Sequence, residues 1–256
     1  MHSERTIVDA DGVTVTDVSC HAEPGGWSAP EPVTRQSVVL IRSGLFRRRV
    51  GNQDTVLDAS TGYLSTPGTE ASFAHPAGDD RCTSITVPDS LLRSTDRREM
   101  IISDPRLDLA HRTLIARARS GAAPDELAER AHVLVGTALA AARPRLTVAA
   151  IRERVDRVRQ QLAADRSASL DDLARTAALS PCHLSRTFRR ATGMTITSYR
   201  IGLRLRDVID RLAAGQTDLA TLAAETGFSD QAHLTRLLKR ETKTTPASVR
   251  RLLVSS

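Results

Sequence analysis

The chain has 256 residues, enough for two compact domains. About 40% of it is apolar but only 3% is aromatic, so its cores must be built mostly from Leu, Val, Ile and Ala. Its formal charge is +6, no apolar run approaches the ~18 residues of a membrane span, and the opening MHSERTIVDADG lacks the apolar centre of a signal peptide. These features predict a soluble cytoplasmic protein with no membrane partner.

Residues 1–90 alternate short β-prone runs with turn residues. Thr14 to Thr16 form one such run. Ser37 to Ile41 (SVVLI) reads as a buried strand, followed by Gly44 and then Leu45-Phe46. Gly51-Asn52 and Thr61-Gly62 read as turns, and Thr83 to Val87 (TSITV) is a strand ended by Pro88. Strands this short and this closely spaced suggest a small β-sandwich or barrel. Cys20, Cys82 and Cys182 are odd in number and far apart, with no C-x-x-C pair. That argues against a disulfide framework and a structural zinc site.

From about residue 90 the period becomes helical. Leu107, Ala110, Leu114, Ile115 and Ala118 follow one helical stripe. After the break at Gly121–Pro124, Leu127, Ala131, Leu134, Val135, Ala138 and Leu139 follow another, which Pro144 ends. Asp125 and Glu126 sit in its first turn, where a helix favours acids. The two helices are expected to complete the N-terminal domain, to pair with a second subunit, or both. The domain boundaries implied are 1–143, with a β part over about 1–90 and helices over about 105–142, and then 148–256.

The C-terminal part reads as helical throughout. Val148, Ile151, Val155, Val158 and Leu162 form one stripe, and Ser169 caps the next helix with Asp171 and Asp172 in its first turn. It also carries the basic excess: residues 1–149 hold 17 basic and 19 acidic side chains, and residues 150–256 hold 19 basic and 11 acidic. Double-stranded DNA is the natural partner for such a part, because Lys and Arg release condensed counterions when they meet phosphates. A solvated charged face would show the same count.

An internal repeat is more specific. LDDLARTAALSPCHLSRTFRRATGMT from Leu170 matches LATLAAETGFSDQAHLTRLLKRETKTTP from Leu219, at an offset of about 50 with one residue inserted in the second turn. Leu170, Leu173 and Ala174 match Leu219, Leu222 and Ala223. His183, Leu184, Arg186, Arg189, Arg190 and Thr192 match His233, Leu234, Arg236, Lys239, Arg240 and Thr242. Each copy reads as helix, short turn, helix. A long helix joins them, with Tyr199, Ile201, Leu205, Val208, Ile209 and Leu212 on its apolar face and Gly215 at its end. Ser180-Pro181 starts the second helix of the first copy, and Asp230 or Ser229 that of the second. The outward faces, rich in Arg and small polar residues, suit helices lying in a major groove.

At these residues the chain resembles the AraC family of bacterial regulators. L-S-R-x-F-R-R-x-x-G, Tyr199-Arg200, A-x-x-x-G-F-S-D and the terminal T-P-x-x-x-R carry the likeness over about the last hundred residues. The chain departs from that pattern at Leu238, where Phe is usual, at Lys243, where Gly is usual, and at Thr245-Pro246, where Ser-Pro is commoner. The resemblance implies two helix-turn-helix units facing adjacent major grooves, about 34 Å apart. It points Cys182, Ser185 and Arg186 toward bases in the first unit, and Gln231, Ala232, His233, Thr235 and Arg236 in the second. Arg189, Arg190, Lys239 and Arg240 are the phosphate candidates. His183 and His233 hold matched positions, which also fits a structural role.

The N-terminal half, with F-A-H-P-A-G-D-D-R-C-T-S-I at 73–85, is similar to the cupin-like β-barrel sensors that many family members carry. No cofactor is expected. His21 and His75 stand isolated with no H-x-H, which argues against a metal centre. A small-molecule effector pocket inside the barrel is assigned to Trp27, Arg42, Phe46 and Tyr63. The functional expectation is a non-enzymatic transcription activator or repressor, with RNA polymerase and a second copy of the chain as further partners. Two alternatives remain open. One is a thiol-based sensor using Cys82, whose neighbour Arg81 could lower its pKa, or Cys20. The other is an enzyme with a fused DNA-binding tail, for which no nucleophile elbow, phosphate loop or ligand cluster stands out.

Overall fold

The structure is a computed structural model that describes residues 2–21, 25–88, 98–144 and 149–254. Val148 of the expected helical stripe lies outside these residues. The chain divides into two units, one formed by Met1–Ser103 with Gly121–Arg145, the other by Asp104–Ser120 with Leu146–Ser256.

The first unit holds β1 (His2–Ala10), β2 (Val13–Cys20), β3 (Glu31–Pro32), β4 (Ser37–Ser43), β5 (Leu45–Val50), β6 (Gln53–Asp58), β7 (Thr61–Ser65), β8 (Glu70–Ala74), β9 (Asp80–Thr86), β10 (Arg98–Ile102) and β11 (Ala142–Pro144). All the pairings are antiparallel. One sheet runs β1-β2-β9-β4-β7-β10-β11 and the other β3-β8-β5-β6. Inward residues of both sheets, among them Val18, Val39, Ile41, Phe46, Leu57 and Tyr63, form a shared core. This is the two-layer arrangement expected of the N-terminal strands. One turn assignment fails: Thr61 and Gly62 lie inside β7. A Cβ on Gly62 would collide with the Val39 carbonyl of neighbouring β4, so its glycine serves close packing between strands.

The two helices expected to complete the N-terminal domain separate between the units. Helix α1 (Pro105–Arg119) belongs to the second unit and helix α2 (Pro124–Ala141) to the first. α2 buries Leu127, Ala131, Leu134 and Val135 and packs on β1, β2 and β10. α1 starts at Asp104, whose Oδ1 accepts from the Leu107 N–H at 2.8 Å, and packs on the C-terminal helices. The boundary read from the sequence is therefore corrected: residues 104–120 leave the N-terminal unit. Leu109 joins the apolar core of the C-terminal helices, and charge pairs add to the docking. Asp108, 4% exposed, accepts from Arg112 at 2.9 Å and from Arg206 at 2.8 Å, and Arg112 also donates to Asp210. Periodicity marks a buried face but not what buries it.

The rest of the second unit comprises α3 (Ala149–Ala164), α4 (Leu170–Ala177), α5 (Pro181–Thr192), α6 (Ile196–Ala213), α7 (Leu219–Glu225), α8 (Gln231–Thr242) and α9 (Pro246–Leu253). The repeat holds at the level of single hydrogen bonds. Each first helix closes with the same wide turn, Leu179 N–H to Ala174 O at 3.0 Å and Phe228 N–H to Ala223 O at 2.9 Å. That closure puts Ala178 at φ 50° and Gly227 at φ 79°. Each second helix ends at a threonine whose hydroxyl donates back one turn, Thr192 to Phe188 O at 2.8 Å and Thr242 to Leu238 O at 2.7 Å. The next caps match as well: Thr195 accepts from Ser198 N–H at 3.0 Å and Thr245 from Ser248 N–H at 3.3 Å. The duplication thus runs on into the starts of α6 and α9.

α6 buries Tyr199, Leu203, Leu205, Val208, Ile209 and Leu212. Tyr199 meets Phe188 edge-on at 5.3 Å and receives a hydrogen bond from the fully buried Arg159 at 3.2 Å. Leu238, in place of the expected Phe, is wholly buried in the core of the second copy. Ile151 of the predicted α3 stripe is instead 37% exposed.

Three outcomes test this arrangement. Asp108→Ala removes the buried carboxylate that Arg112 and Arg206 share and should destabilise the chain by about 1–3 kcal/mol in urea unfolding. Lys243 sits at φ 59° at the end of α8, where the first copy has Gly193 at φ 75°. Lys243→Gly should therefore raise stability by about 0.5–1 kcal/mol in the same measurement. Finally, the His233 N–H donating to Asp230 at 2.7 Å holds that carboxyl below its ordinary value of 3.8. A depressed folded pKa gives stability that is present above the unfolded value and lost as pH falls through the folded one. Asp230→Ala should lower the melting temperature at neutral pH, with the deficit narrowing below about pH 4.

Candidate nucleic-acid interface and candidate sensor cavity

α5 exists because Ser180 accepts from the His183 N–H at 3.3 Å and Pro181 fills the first helical position. Its apolar stripe, Leu184, Phe188 and Ala191, is at most 1% exposed. Successive residues turn by about 100°, so burying that stripe fixes the outward face. Cys182, Ser185, Arg186, Arg189 and Arg190 are all exposed, and Arg186 lies opposite the buried stripe. Ser185 donates its hydroxyl proton to Pro181 O at 2.9 Å, which leaves its oxygen as an acceptor. Beside this face lies a cleft of about 370 Å³ between α5 and the first turn of α6. Ser185, Arg186, Arg189, Thr195, Thr197 and Arg200 line it. Sequence reasoning noted Arg200 only as part of a motif and missed both threonines. The signal available was the cap-forming Thr195, three residues past the last residue of α5.

α8 repeats the geometry. Leu234, Leu237 and Leu238 are buried, and Gln231, Ala232, Arg236, Lys239 and Arg240 are exposed. Arg236 again lies opposite the stripe. Arg240 bonds to the neighbouring Glu241 at 2.7 Å, so this phosphate candidate shares its charge with an acid. Thr235 and His233 are half-buried. His233 meets the Phe228 ring edge-on at 5.6 Å, and its Nδ1 lies 2.9 Å from Ser229 Oγ. The Ser229 N–H also points at Nδ1, at 3.4 Å, which favours the tautomer with its proton on Nε2. His233 Nδ1 therefore braces the turn, whereas the matched His183 is exposed.

In the first unit, a cavity of about 360 Å³ opens within the strands. Phe46 and Tyr63 line it as expected, together with Cys20, His75, Asp80 and Cys82. Trp27 and Arg42 are not among its lining residues. Strand alternation is the reason: Ile41 faces the core, so Arg42 faces the other side and pairs with Asp17. Trp27 is held by Arg49 at 3.8 Å and Arg47 at 5.1 Å, which flank inward-facing Arg48 on β5. The inward Arg48 lies 4.5 Å over the Tyr63 ring. Burial pushes the Tyr63 hydroxyl well above its ordinary value.

The same alternation removes the premise for a reactive thiol. Arg81 is exposed while Cys82 points inward. Burial, reinforced by Cys20 and Asp80, pushes the Cys82 thiol up to about 12. Burial and then Asp80 push Cys20 up to about 11. At neutral pH both are protonated and poorly nucleophilic in the metal-free chain. Among the described residues, no helix is long and apolar enough to cross a membrane.

A family model described as a helix-turn-helix domain matches residues 173–252. The arabinose operon regulatory protein of Escherichia coli (strain K12) is 30% identical over 87 residues, which cover 34% of this chain and 30% of that protein. The probable transcription factor PqrA of Proteus vulgaris is 32% identical over 90 residues, 35% of this chain and 74% of that protein. The match thus spans under a third of the arabinose regulator, but most of the shorter relative. Among solved structures, ToxT from Vibrio cholerae O395 covers 96% of this chain and 100% of its own, a distant likeness at a TM-score of 0.39 and 11% identity. The duplicated helix-turn-helix geometry lies within the segment that the family model matches, and the chain covers most of PqrA at 32% identity: the chain belongs to the AraC-type family of helix-turn-helix regulators.

Proposed function

We propose that the chain is a cytoplasmic, sequence-specific DNA-binding transcription regulator, with α5 and α8 as its two recognition helices. One observation carries this reading. Arg186 and Arg236, matched in the repeat, each stand directly opposite a fully buried apolar stripe. A long bidentate donor projecting from such a helix can reach guanine O6 and N7 in the major groove. Cys182 and Ser185, with Gln231, Ala232 and Thr235, are small or amide side chains on the same exposed ends, and Gln231 suits adenine. Arg189, Arg190, Lys239 and Arg240 supply phosphate contacts, and the arginine-lined cleft beside α5 suits the sugar-phosphate strand.

The cavity between the N-terminal sheets takes a small-molecule effector in this reading, which makes the unit a cupin-like sensor rather than an enzyme. RNA polymerase and a second copy of the chain are its further partners.

Selection of bound sequences from random duplexes, followed by affinity measurements, tests the assignment. Arg186→Ala and Arg236→Ala should each weaken binding to the selected site by about 1–3 kcal/mol and relax one base preference. Arg189→Ala should weaken all duplexes alike and reduce the salt slope by about 1. A uniform loss for Arg236→Ala would reassign it to phosphate. Absence of duplex binding by the full chain at low salt would overturn the reading.

A further inference from the structure

We propose that Cys20, His75 and Asp80 form a binding site for one thiophilic divalent cation of the zinc class, on the wall of the N-terminal cavity. The three offer a sulfur, a ring nitrogen and a carboxylate oxygen that lie within 4.8 Å of one another. Two of them are brought together by strand register: Cys20 ends β2, Asp80 begins β9, and the two are direct partners across that antiparallel pair. Partners of this kind carry their Cβ atoms about 4.5–5.5 Å apart on one face. His75 comes from the turn after β8, with its Nδ1 hydrogen-bonded to the Asp80 carboxylate and its ring 5.9 Å from that of Phe46. Gly44 makes room for this corner. A Cβ there would come within 2.6 Å of Asp80 Cβ, at a backbone φ of 84°.

The donor set selects the ion. Zinc takes thiolate, imidazole and carboxylate at about 2.0–2.3 Å in tetrahedral geometry, whereas calcium and magnesium take oxygen. Tetrahedral ligand atoms at those lengths lie about 3.3–3.8 Å apart, so small side-chain rotations bring the trio onto one ion. Asp80 is 3% exposed and the His75 side chain 19%, while Cys20 is half-buried and all three line the cavity. Three protein ligands leave one tetrahedral position over for water or for a donor atom of an effector in the cavity. Binding deprotonates the Cys20 thiol and releases that proton to solvent. The sequence argued against a metal because no H-x-H is present. The cluster gathers residues 55 and 60 positions apart that only the sheet brings together.

The site itself stands on these residues alone. Its consequence, that the cation is the effector, rests on the regulatory reading above. The test uses the full chain, stripped with chelator, in a Cys182→Ser background that removes the exposed thiol. Cobalt(II) should bind stoichiometrically with thiolate-to-metal charge-transfer absorption, and zinc should displace it. Loss of an outer partner alone costs about 10–100-fold in metal affinity. Cys20→Ser should therefore abolish the charge-transfer band and, like His75→Ala, weaken binding at least about 100-fold. Circular dichroism spectra matching the parent would show these variants folded. No stoichiometric uptake, or a band that survives Cys20→Ser, overturns the site. Selected duplex is titrated with and without zinc in parallel, using the unsubstituted chain. A zinc-dependent shift in affinity supports the effector role. Stoichiometric zinc with unchanged duplex affinity supports the site and overturns that role.

Discussion

The whole C-terminal unit depends on one constraint, the complete burial of a leucine-rich stripe on each recognition helix. Leu184 and Leu234 are both fully buried, as are Phe188 and Leu238 one turn later. A helix with one buried stripe has no rotational freedom about its own axis. The outward direction of every other side chain follows from about 100° per residue. Arg186 and Arg236 are therefore aimed by leucines on the far side of their helices and need no partner of their own to point outward. The caps at Ser180 and Asp230 and the hydroxyls of Thr192 and Thr242 then fix where each helix starts and stops.

The two copies solve the same local problems with different residues, which separates what the geometry requires from what it tolerates. The closing turn of the first helix needs a left-handed residue, and the copies supply Ala178 and Gly227. The end of the second helix needs another, supplied by Gly193 and Lys243. Each copy thus keeps one glycine and accepts one strained side chain, at opposite ends of its recognition helix. The one-residue insertion in the second copy falls at the cap, where Asp230 replaces the Ser180-Pro181 start. An insertion there leaves the buried spacing within α8 untouched.

Features that depend on nearby residues were legible in the sequence. The Ser169 cap, the SVVLI and TSITV strands, the outward arginines and most of the helical stripes follow from spacing within one element, Ile151 of α3 being the exception. Features set by partners far along the chain were not. α1 is buried against the C-terminal helices where Leu109 joins their core and Asp108 meets Arg206, about a hundred residues away. The cavity depends on the β2–β9 register, which no local pattern encodes. Trp27 is amphipathic and was assigned to a pocket, yet two arginines hold its ring instead. Arg81 and Arg42 are different cases. Alternation along β9 and β4 already implied that neighbours of an inward residue face away.

The charge count shows how a sequence signal can be right in sign and still need structure to be interpreted. Many of the basic residues behind the C-terminal excess serve the fold. Arg159 is buried against Asp156 and Tyr199, Arg166 pairs with Asp207, Arg206 with Asp108 and Arg211 with Glu225. Arg200 and Arg204 donate to the carbonyls of Ala168 and Gly227. Counterion release depends on cations that reach phosphates, not on net charge. On the proposed reading, the cations that do so are those on the exposed faces of α5 and α8. The internal acids therefore do more than dilute the positive charge. By engaging the structural arginines they leave Arg186, Arg189, Arg190 and Arg236 among the exposed guanidinium groups of the unit, where a net charge count alone would not distinguish them from arginines that serve the fold.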